Sequence, residues 1–383
     1  MTPFLPPLPA SLLGALLLAG PLGQDPEPAP EPAPTGPRIG VLYWSMDIPG
    51  QVAMRRGLEL EFERVRDERE LAEAPLPVLI PHVAGNGEEG IERQILQMRE
   101  LIGAEVDLIL VQPTDNAALA RPLLEANAAG IPVVAYDQYI SRGELASYLT
   151  SDNFGAGYDD GEVIAARYPD DHVVRLVLVE YPHVSSTVER VDGFLQALED
   201  RGQPFRILDT FEAVEPVGGA RAGAAILAAF PEPGSIDVIF TVNDGGGLAV
   251  VDALAEAGRD EVLIATIDGD ARSIENILAG RLTVVDSAQF CGALGRESMR
   301  IGWKVLAGEE VPPLVLLPTF PITAATHERF HGWNEELPEP FTKPWPAKVP
   351  NWSWKPITPG WPPEQPEDAE EPPAEGDSPD EPR

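Results

Sequence analysis

The chain alternates apolar, strand-like runs with amphipathic, helix-like runs from about residue 39 to about residue 320, and this alternation is what most constrains its fold. The predicted strands are 39–44, 78–81, 107–111, 132–136, 173–179, 206–211, 237–241, 261–266 and 282–287, with short ones around Val315 and Phe320. The predicted helices are about 51–70, 88–102, 116–129, a segment that ends at 167, 186–200, 217–230, 245–257, 271–279 and 292–306. Such alternation predicts parallel sheets covered by helices, because a parallel pair of strands needs a crossover that is usually a helix. Since the rhythm restarts after a turn at 151–155, we predict an α/β fold with two similar sheets in tandem.

Three polar residues stand where apolar runs stop, namely Asp137, Asn243 and Asp268. In a parallel α/β sheet the carboxyl ends of the strands meet at one edge, and ligands bind there. Each of the three could instead merely begin the next helix, since Asn and Asp are common helix caps. Together with Arg190 and Gln289, they favour a polar ligand site.

Composition limits the possible partners. The chain has 383 residues, of which 44% are hydrophobic, which is enough for a packed core and for two domains of ordinary size. Its formal net charge of -35 argues against binding to nucleic acid or to anionic membrane surfaces, because both would repel an acidic protein.

The N-terminal end differs in composition from the alternating part. Residues 11–20 form an apolar run of signal-peptide length, too short and too interrupted by Gly for a membrane span, although no Lys or Arg precedes it. We therefore predict a signal peptide at 1–23 and a Pro-rich, extended tether at 24–37 that cannot bury a core. The folded part should begin near Arg38.

The C-terminal end is rich in Pro, Trp and acidic residues from residue 334 onward, so this tail of 334–383 should not fold alone. Its end, 367–383, is predicted to be disordered. The segment 345–361 is different because exposed Trp is costly in water; we predict that it lies along a lobe, with plain disorder as the alternative.

Several features that could suggest chemistry have plainer explanations. The five histidines show no metal-ligand spacing, and Gly245-Gly-Gly247 lacks the ending of a phosphate loop, so we predict neither a metal site nor a cofactor. The single cysteine, Cys291, lies in an apolar stretch where a buried, inert thiol is expected. The acids Asp159, Asp160 and Glu162 are expected on an exposed first turn of a helix, where the helix dipole favours them.

Several short motifs resemble a known family when they are taken together. They are VQPTD at 111–115, Asp137, SDN at 151–153, ERVDGF at 189–194, ND at 243–244, IDG at 267–269 and AQ at 288–289. In order and spacing they resemble the type I periplasmic sugar-binding proteins of bacterial ABC transporters, the ribose and galactose group, over roughly residues 38–330. The resemblance implies two Rossmann-like parallel-sheet lobes, joined by a three-strand hinge, with the ligand clamped between them.

The same resemblance implies where the chain divides. The N-terminal lobe would comprise 38–150 plus 290–314, and the C-terminal lobe 151–289 plus 315–333. The chain would cross between the lobes near Ser151, Gln289 and Leu314.

The resemblance also implies roles for individual residues. It assigns Asp137, Asp268, Asn243 and Gln289 to sugar hydroxyls, Gln112 to the contacts of the N-terminal lobe, and Arg190 to the ring oxygen or the anomeric hydroxyl. These types suit a polyol, because carboxylates accept hydroxyl hydrogen bonds, Arg donates them in a fixed fork, and amides do both.

The chain departs from the family pattern in two places. Residues 44–51 lack the Asn and paired Phe of ribose-like proteins, and Gln138 stands where those proteins carry an Arg. We predict that Gln138 is a ligand-binding residue in its place. Stacking on the sugar ring must then come from elsewhere, and Trp44 and Tyr181 are the candidates, although either ring could simply fill core. These departures favour a sugar other than ribose.

We therefore predict an exported solute receptor, not an enzyme, that captures a monosaccharide or polyol and delivers it to the membrane permease of an ABC transporter. We expect it to act as a monomer. A ligand-sensing subunit for a membrane chemoreceptor or histidine kinase is the alternative that the sequence leaves open. A transcription regulator of the same fold would need a DNA-binding head where the apolar segment and the tether stand, and an enzyme would need a nucleophile–base pair or a metal set that the sequence does not offer.

Overall fold

The structure is a computed structural model that describes residues 36–335 and 337–354. The predicted signal peptide, all of the tether except its last two residues, and the tail beyond residue 354 lie outside these residues. Within them, none of the helices is both long enough and apolar enough to cross a membrane.

The first sheet is a six-stranded parallel sheet. Its strands are β1 (Arg38–Tyr43), β2 (Val78–Val83), β3 (Leu108–Val111), β4 (Val133–Tyr136), β5 (Ser147–Ser151) and β11 (Leu314–Leu317). They lie in the order β11-β5-β4-β3-β1-β2, and every neighbouring pair is parallel. The central strands β3 and β4 are buried at every position, as strands covered by helices on both faces must be.

The second sheet repeats this topology. Its strands are β6 (Val174–Glu180), β7 (Phe205–Glu212), β8 (Val238–Thr241), β9 (Leu263–Asp268), β10 (Thr283–Gln289) and β12 (Thr319–Ile322). They lie in the order β12-β10-β9-β8-β6-β7, and only β12 runs antiparallel to its neighbour. Two parallel-sheet lobes are what the alternating sequence pattern predicted, and the prediction is confirmed.

Helices cover both sheets at positions close to the predicted ones. They are α1 (Pro49–Leu71), α2 (Gly87–Gly103), α3 (Ala120–Ala128), α4 (Asn153–Ala165), α5 (Ser185–Asp200), α6 (Pro216–Ala229), α7 (Asp244–Glu256), α8 (Ala271–Ala279) and α9 (Cys291–Leu306). Two local predictions were wrong. Helix α3 begins at Ala120 rather than at 116, because the carboxylate of Asp115 accepts hydrogen bonds from the backbone N–H groups of Ala117 and Ala118 and holds a turn. Strand β5 was not predicted, because its polar side chains break the apolar pattern of a buried strand. Ser147 and Thr150 are satisfied by donating to the carbonyls of Pro312 and Asp137.

The chain passes between the two sheets three times. It leaves the first sheet after Ser151, returns after Gln289, and crosses again at Pro318 between β11 and β12. The sequence predicted the third crossing near Leu314, and the structure has it later in the chain. Residues 315–317, which we had placed in the C-terminal lobe, pair with β5 in the first sheet because Leu314 to Leu317 align in parallel register with Tyr148 to Ser151.

Helices α4 and α5 of the second lobe pack backbone against backbone. A Cβ at Gly157 would overlap the carbonyl group of Arg190, and a Cβ at Gly193 would overlap that of Phe154. Only residues without a side chain allow this approach. The close contact fixes the position of the α5 backbone from which the side chain of Arg190 extends.

Residues 337–354 pack on the second lobe and form a small antiparallel pair, β13 (Phe341–Thr342) and β14 (Asn351–Trp352). Phe341 and Trp352 are buried with Phe320 of β12, and the indole N–H of Trp352 donates to the carbonyl of Thr319 at 2.9 Å. The described part of the Trp-rich segment therefore lies along a lobe, as predicted, while its end, including Trp361, lies outside the described residues.

This packing explains why one expectation was wrong. Asp159, Asp160 and Glu162 are buried rather than exposed. Lys343 of the tail pairs with Asp159 and, at 3.3 Å, with Glu162, and Ser287 donates to Asp160 at 2.6 Å. The nearest of these partners is 127 residues away along the chain, so the local pattern of α4 could not reveal them.

Candidate ligand-binding site

Residues from both lobes line one narrow cleft at the carboxyl ends of the two sheets. They are Trp44, Ile48, Gly50, Gln51, Met54, Asp137, Gln138, Ser186, Thr187, Arg190, Val214, Asn243, Asp268 and Gln289. The empty space among them is about 340 Å³, and about 20 Å³ of it can take the centre of a water molecule. The lobes are therefore closed on each other, and a ligand of monosaccharide size can enter only if they separate.

Seven of the nine predicted ligand-binding residues lie in this cleft. They are Trp44, Asp137, Gln138, Arg190, Asn243, Asp268 and Gln289. Gln112 and Tyr181 do not line it.

Asp137 follows β4 in the first lobe and is held by its neighbours. Gln112, at the end of β3, is fully buried and donates through Nε2 to Oδ2 of Asp137 at 2.8 Å, so it acts behind the cleft rather than in it. The backbone N–H of Asp137 donates to the carbonyl of Leu149, and its own carbonyl accepts from Thr150. These contacts fix the direction in which the carboxylate points.

Asp268 ends β9 in the second lobe and lies at the centre of a charged group. Its Oδ1 accepts from Nη1 of Arg190 at 3.2 Å and from Nε2 of Gln289 at 2.7 Å. Arg190 is held in turn by Asn153 through Nε and by the carbonyl of Val242 through Nη1. The guanidinium, the carboxylate and the amide thus form one connected, buried network.

Both aspartates have unusual backbone conformations. The φ angle is 66° at Asp137 and 135° at Asp268, a region that disfavours side chains with a Cβ. Strain of this kind costs about 1–3 kcal/mol per residue and is concentrated at functional sites.

Asn243 lines the cleft but also begins a helix. Its Oδ1 accepts from the N–H of Gly246 at 3.1 Å, as the N-cap of α7, and its Nδ2 donates to the carbonyl of Val214 at 2.9 Å. Asn243 is therefore both a helix cap, which was the simpler explanation for a strand-end residue, and a residue that lines the cleft.

Gln138 links the two lobes. Its Nε2 donates to Oγ of Ser186 at 2.7 Å, and its Oε1 accepts from the backbone N–H of Ser186 at 3.1 Å. Beside this pair, the backbone N–H of Tyr139 donates to Ser185 at 3.2 Å, and that of Asn116 donates to the carbonyl of His183 at 3.1 Å. We call the Gln138–Ser186 pair the latch, because both hydrogen bonds must break when the lobes part.

Trp44 follows β1 in the first lobe, yet it packs into the core of the second lobe with Val184 and Val214. Its ring is 5.9 Å from that of Tyr181, with the planes inclined by 33°. Tyr181 therefore lies behind Trp44, in contact with core residues and with His183, and does not reach the cleft. Of the two stacking candidates, only Trp44 is placed where a ligand could touch it.

Sequence reasoning did not single out several lining residues. Ile48, Gly50, Gln51 and Met54 come from the start of α1, Ser186 and Thr187 from the start of α5, and Val214 from the loop after β7. A signal for most of them was present, because these segments follow β1, β6 and β7 and so begin at the carboxyl edges of the two sheets, where the strand-end residues also lie.

Burial raises the pKa of several acids in and behind the cleft. It raises the pKa of Asp137, against the hydrogen bond from Gln112 and the charge of Arg190. It raises the pKa of Asp268 to about 6, against the charge of Arg190. Behind the cleft, Asp286 accepts from the N–H of Gly269, and burial raises its pKa to about 8; Asp244 beside it is also raised.

The cleft can therefore bind a ligand rich in hydroxyl groups. The carboxylates of Asp137 and Asp268 accept hydrogen bonds, Arg190 donates them, and Gln51 and Gln289 can do both. Cys291, behind Gly50, is fully buried, and burial raises the pKa of its thiol. Over the described residues, no three His, Cys, Asp or Glu side chains are grouped so that they could hold a metal ion.

Comparison with known proteins agrees with this geometry. The sequence profile of one family, described as periplasmic binding protein domain, matches residues 39–310. The chain belongs to this family. The resemblance predicted from its motifs is confirmed.

Relatives of this periplasmic binding protein include ribose import binding proteins RbsB. The one from Escherichia coli (strain K12) is 28% identical over 220 residues, which are 57% of this chain and 72% of that protein. The one from Bacillus subtilis (strain 168) is 24% identical over 282 residues, which are 73% of this chain and 85% of that protein. Among solved structures, an ABC transporter solute-binding protein from Mycobacterium smegmatis with bound glycerol has a TM-score of 0.67 at 24% identity, covering 78% of this chain and 98% of its own. This last likeness shows the shared fold.

Proposed function

We propose that this periplasmic binding protein is an extracytoplasmic receptor that captures a monosaccharide or polyol between its lobes and delivers it to the permease of an ABC transporter. The observation that carries the proposal is the cleft, where two carboxylates, a guanidinium and several side-chain amides converge from both lobes. Relatives named as ribose import binding proteins support it, and so does the solved solute-binding protein with glycerol.

The proposed mechanism is binding coupled to closure, with no bond made or broken. Asp137 from the first lobe and Asp268 from the second accept hydroxyl hydrogen bonds, Arg190 donates to the ring oxygen or the anomeric hydroxyl, and Trp44 supplies a ring face. Because these contacts come from both lobes, only the closed form makes all of them, so the ligand shifts the population towards closure.

The remaining parts of the chain have roles in this proposal. Segment 1–23 directs export, 24–37 is a tether, and the two lobes follow the two sheets, with the three crossings as the hinge. The protein acts as a monomer, since the closed form itself presents both lobes to the permease.

A binding screen tests the proposal. Protein comprising residues 38–383 would be heated with pentoses, hexoses, inositols and small non-sugar solutes, because a ligand that binds only the folded state raises the melting temperature. We expect a rise with at least one sugar or polyol. A hit only among non-sugar solutes would refute the ligand class, and silence across the whole panel would refute the receptor function.

Substitutions then test the site. Arg190→Ala and Asp268→Ala should each weaken binding by about 2 kcal/mol or more, because each removes a charged, buried hydrogen-bonding partner. Arg272→Ala is the matched control, since Arg272 lies on the same lobe but faces solvent and pairs with Asp252. Circular dichroism would verify folding. Unchanged affinity in both site variants would show that the ligand binds elsewhere.

A further inference from the structure

We propose that the ligand of this cleft carries a protonated amine, so that the protein is a receptor for an amino sugar or amino polyol rather than for a neutral sugar. This inference rests on the proposed function and narrows it to a substrate class.

The first observation is the balance of charge in the cleft. Its ionisable lining residues are Asp137, Asp268 and Arg190, that is, two carboxylates and one guanidinium. The guanidinium is already paired, because Nη1 of Arg190 lies 3.2 Å from Oδ1 of Asp268. The same Asp268 oxygen also accepts from Gln289.

The second observation is that no cationic side chain of the described residues forms a direct ion pair with Asp137, although the charge of Arg190 acts on it. None of the ion pairs found over residues 36–335 and 337–354 includes Asp137, and its closest donor is the neutral amide of Gln112 at 2.8 Å. The carboxylate is nevertheless only 4% exposed. A buried carboxylate without a cation is costly, because the hydration it loses is not replaced by an opposite charge.

The third observation is that the next residue cannot supply the charge. Gln138 stands where the resemblance predicts an Arg, and both ends of its amide are engaged by Ser186. A cation that pairs directly with Asp137 in the closed cleft would therefore have to come from the ligand.

The remaining lining residues of the cleft offer no second cation. Arg190 is the one basic side chain among the residues that line the cleft. A ligand with an ammonium group would complete the charge balance, and its N–H groups would make charge-assisted hydrogen bonds, which are roughly twice as strong as neutral ones.

Matched ligand pairs test the proposal. Calorimetry on the protein comprising residues 38–383 would compare 2-amino-2-deoxy-D-glucose with D-glucose, 2-amino-2-deoxy-D-galactose with D-galactose, and an inosamine with its parent inositol. The N-acetyl derivative of each amine would serve as an uncharged counterpart. A pH of about 6.5 keeps the amines protonated, because amines of this kind titrate about one unit higher.

We expect at least one amine to bind at least tenfold more tightly than its hydroxyl parent and its N-acetyl derivative. If neutral members bind and no amine is favoured, the proposed amine class is wrong and the sugar receptor stands. If no member of any pair binds while another sugar or polyol of the screen does, the amine class is again wrong and the sugar receptor stands. If no sugar, polyol or amine binds at all, both proposals fail.

Variants locate the effect at Asp137. Asp137→Asn keeps the shape but removes the charge, and Gln138→Arg adds a cation beside it, so either one should reduce the ratio of amine to neutral affinity at least tenfold. Asp47→Asn is the matched control, because this exposed carboxylate lies on the same lobe and is not among the residues that line the cleft, and the ratio should change less than twofold in it. Since the readout is a ratio, a general loss of affinity does not imitate it. A ratio that both site variants leave unchanged would overturn the assignment.

Discussion

The latch between Gln138 and Ser186 predicts how strongly the protein favours closure. Gln138→Ala removes two hydrogen bonds that join the lobes, at 2.7 Å and 3.1 Å. In an open form the same groups would bond to water, so the substitution should destabilise the closed form alone.

The magnitude follows from the number of bonds. A hydrogen bond contributes about 0.5–1.5 kcal/mol net, so two of them contribute about 1–3 kcal/mol. This corresponds to a decrease of about 5- to 150-fold in the ratio of closed to open protein. If the free protein is mostly open, the apparent affinity for a closing ligand falls by the same factor.

Fluorescence energy transfer between the lobes can measure this ratio. Leu96→Cys on α2 and Val217→Cys on α6 offer exposed labelling positions on different lobes, and the single native cysteine, Cys291, is fully buried. Transfer efficiency without ligand reports a population that is already closed, and its titration with a ligand from the screen gives the apparent Kd. Gln138→Ala must change either the transfer efficiency without ligand or the apparent Kd.

A double-mutant cycle separates the latch from direct ligand contact. Ser186→Ala removes one of the two bonds, so the effects of Gln138→Ala and Ser186→Ala should be non-additive by about 0.5 kcal/mol or more. Additive effects would mean that Gln138 acts on the ligand itself. If Gln138→Ala leaves both the closed fraction and the Kd within twofold of the parent values, the latch does not stabilise closure.

Two further predictions concern stability. Burial raises the pKa of Asp268 to about 6 and that of Asp286 to about 8, so the folded form holds protons that the unfolded chain releases, and the free energy of unfolding should fall as pH rises from about 5 to 8. Asp286→Asn should make this decline shallower, by at most roughly 1.4 kcal/mol per pH unit. Urea titrations at several pH values would measure the decline in both proteins. A free energy of unfolding that rises over this range would contradict the argument. Trp352→Ala should lower the free energy of unfolding by about 3 kcal/mol, because the ring of Trp352 is buried against Phe320. Trp354 is 45% exposed, so Trp354→Ala should change the free energy of unfolding by less than about 0.5 kcal/mol. Equal effects of the two substitutions would show that the tail is not packed as described.

The fold could be predicted from the sequence because it depends on local periodicity. Buried parallel strands such as β3 and β8 are short, mainly apolar runs, and each is followed by a helix with one apolar face. The same regularity places Asp137 and Asp268 at the carboxyl edges of their respective sheets without any knowledge of distances. What it misses is β5, whose polar side chains are buried because distant carbonyls accept from them.

The parts of the site that could not be predicted depend on contacts across the chain. Gln138 looked like a ligand contact, and only the position of Ser186, 48 residues further on, shows that its amide joins the lobes. Tyr181 looked like a stacking ring, but Trp44 from the other lobe covers it. The tail is the largest case, because Lys343 lies 184 residues beyond Asp159 and turns an apparently exposed acid into half of a buried pair.

Some features of the closed cleft favour closure and others disfavour it, and from this balance we infer why closure depends on a ligand. The latch and the packing of Trp44 into the second lobe favour closure. The same movement takes Asp137 and Asp268 out of water, and the burial that raises the pKa of both disfavours their charged forms. A ligand that donates hydrogen bonds or positive charge to the two carboxylates removes this penalty and leaves the latch intact. The balance then shifts towards closure by as much as the ligand prefers the closed form.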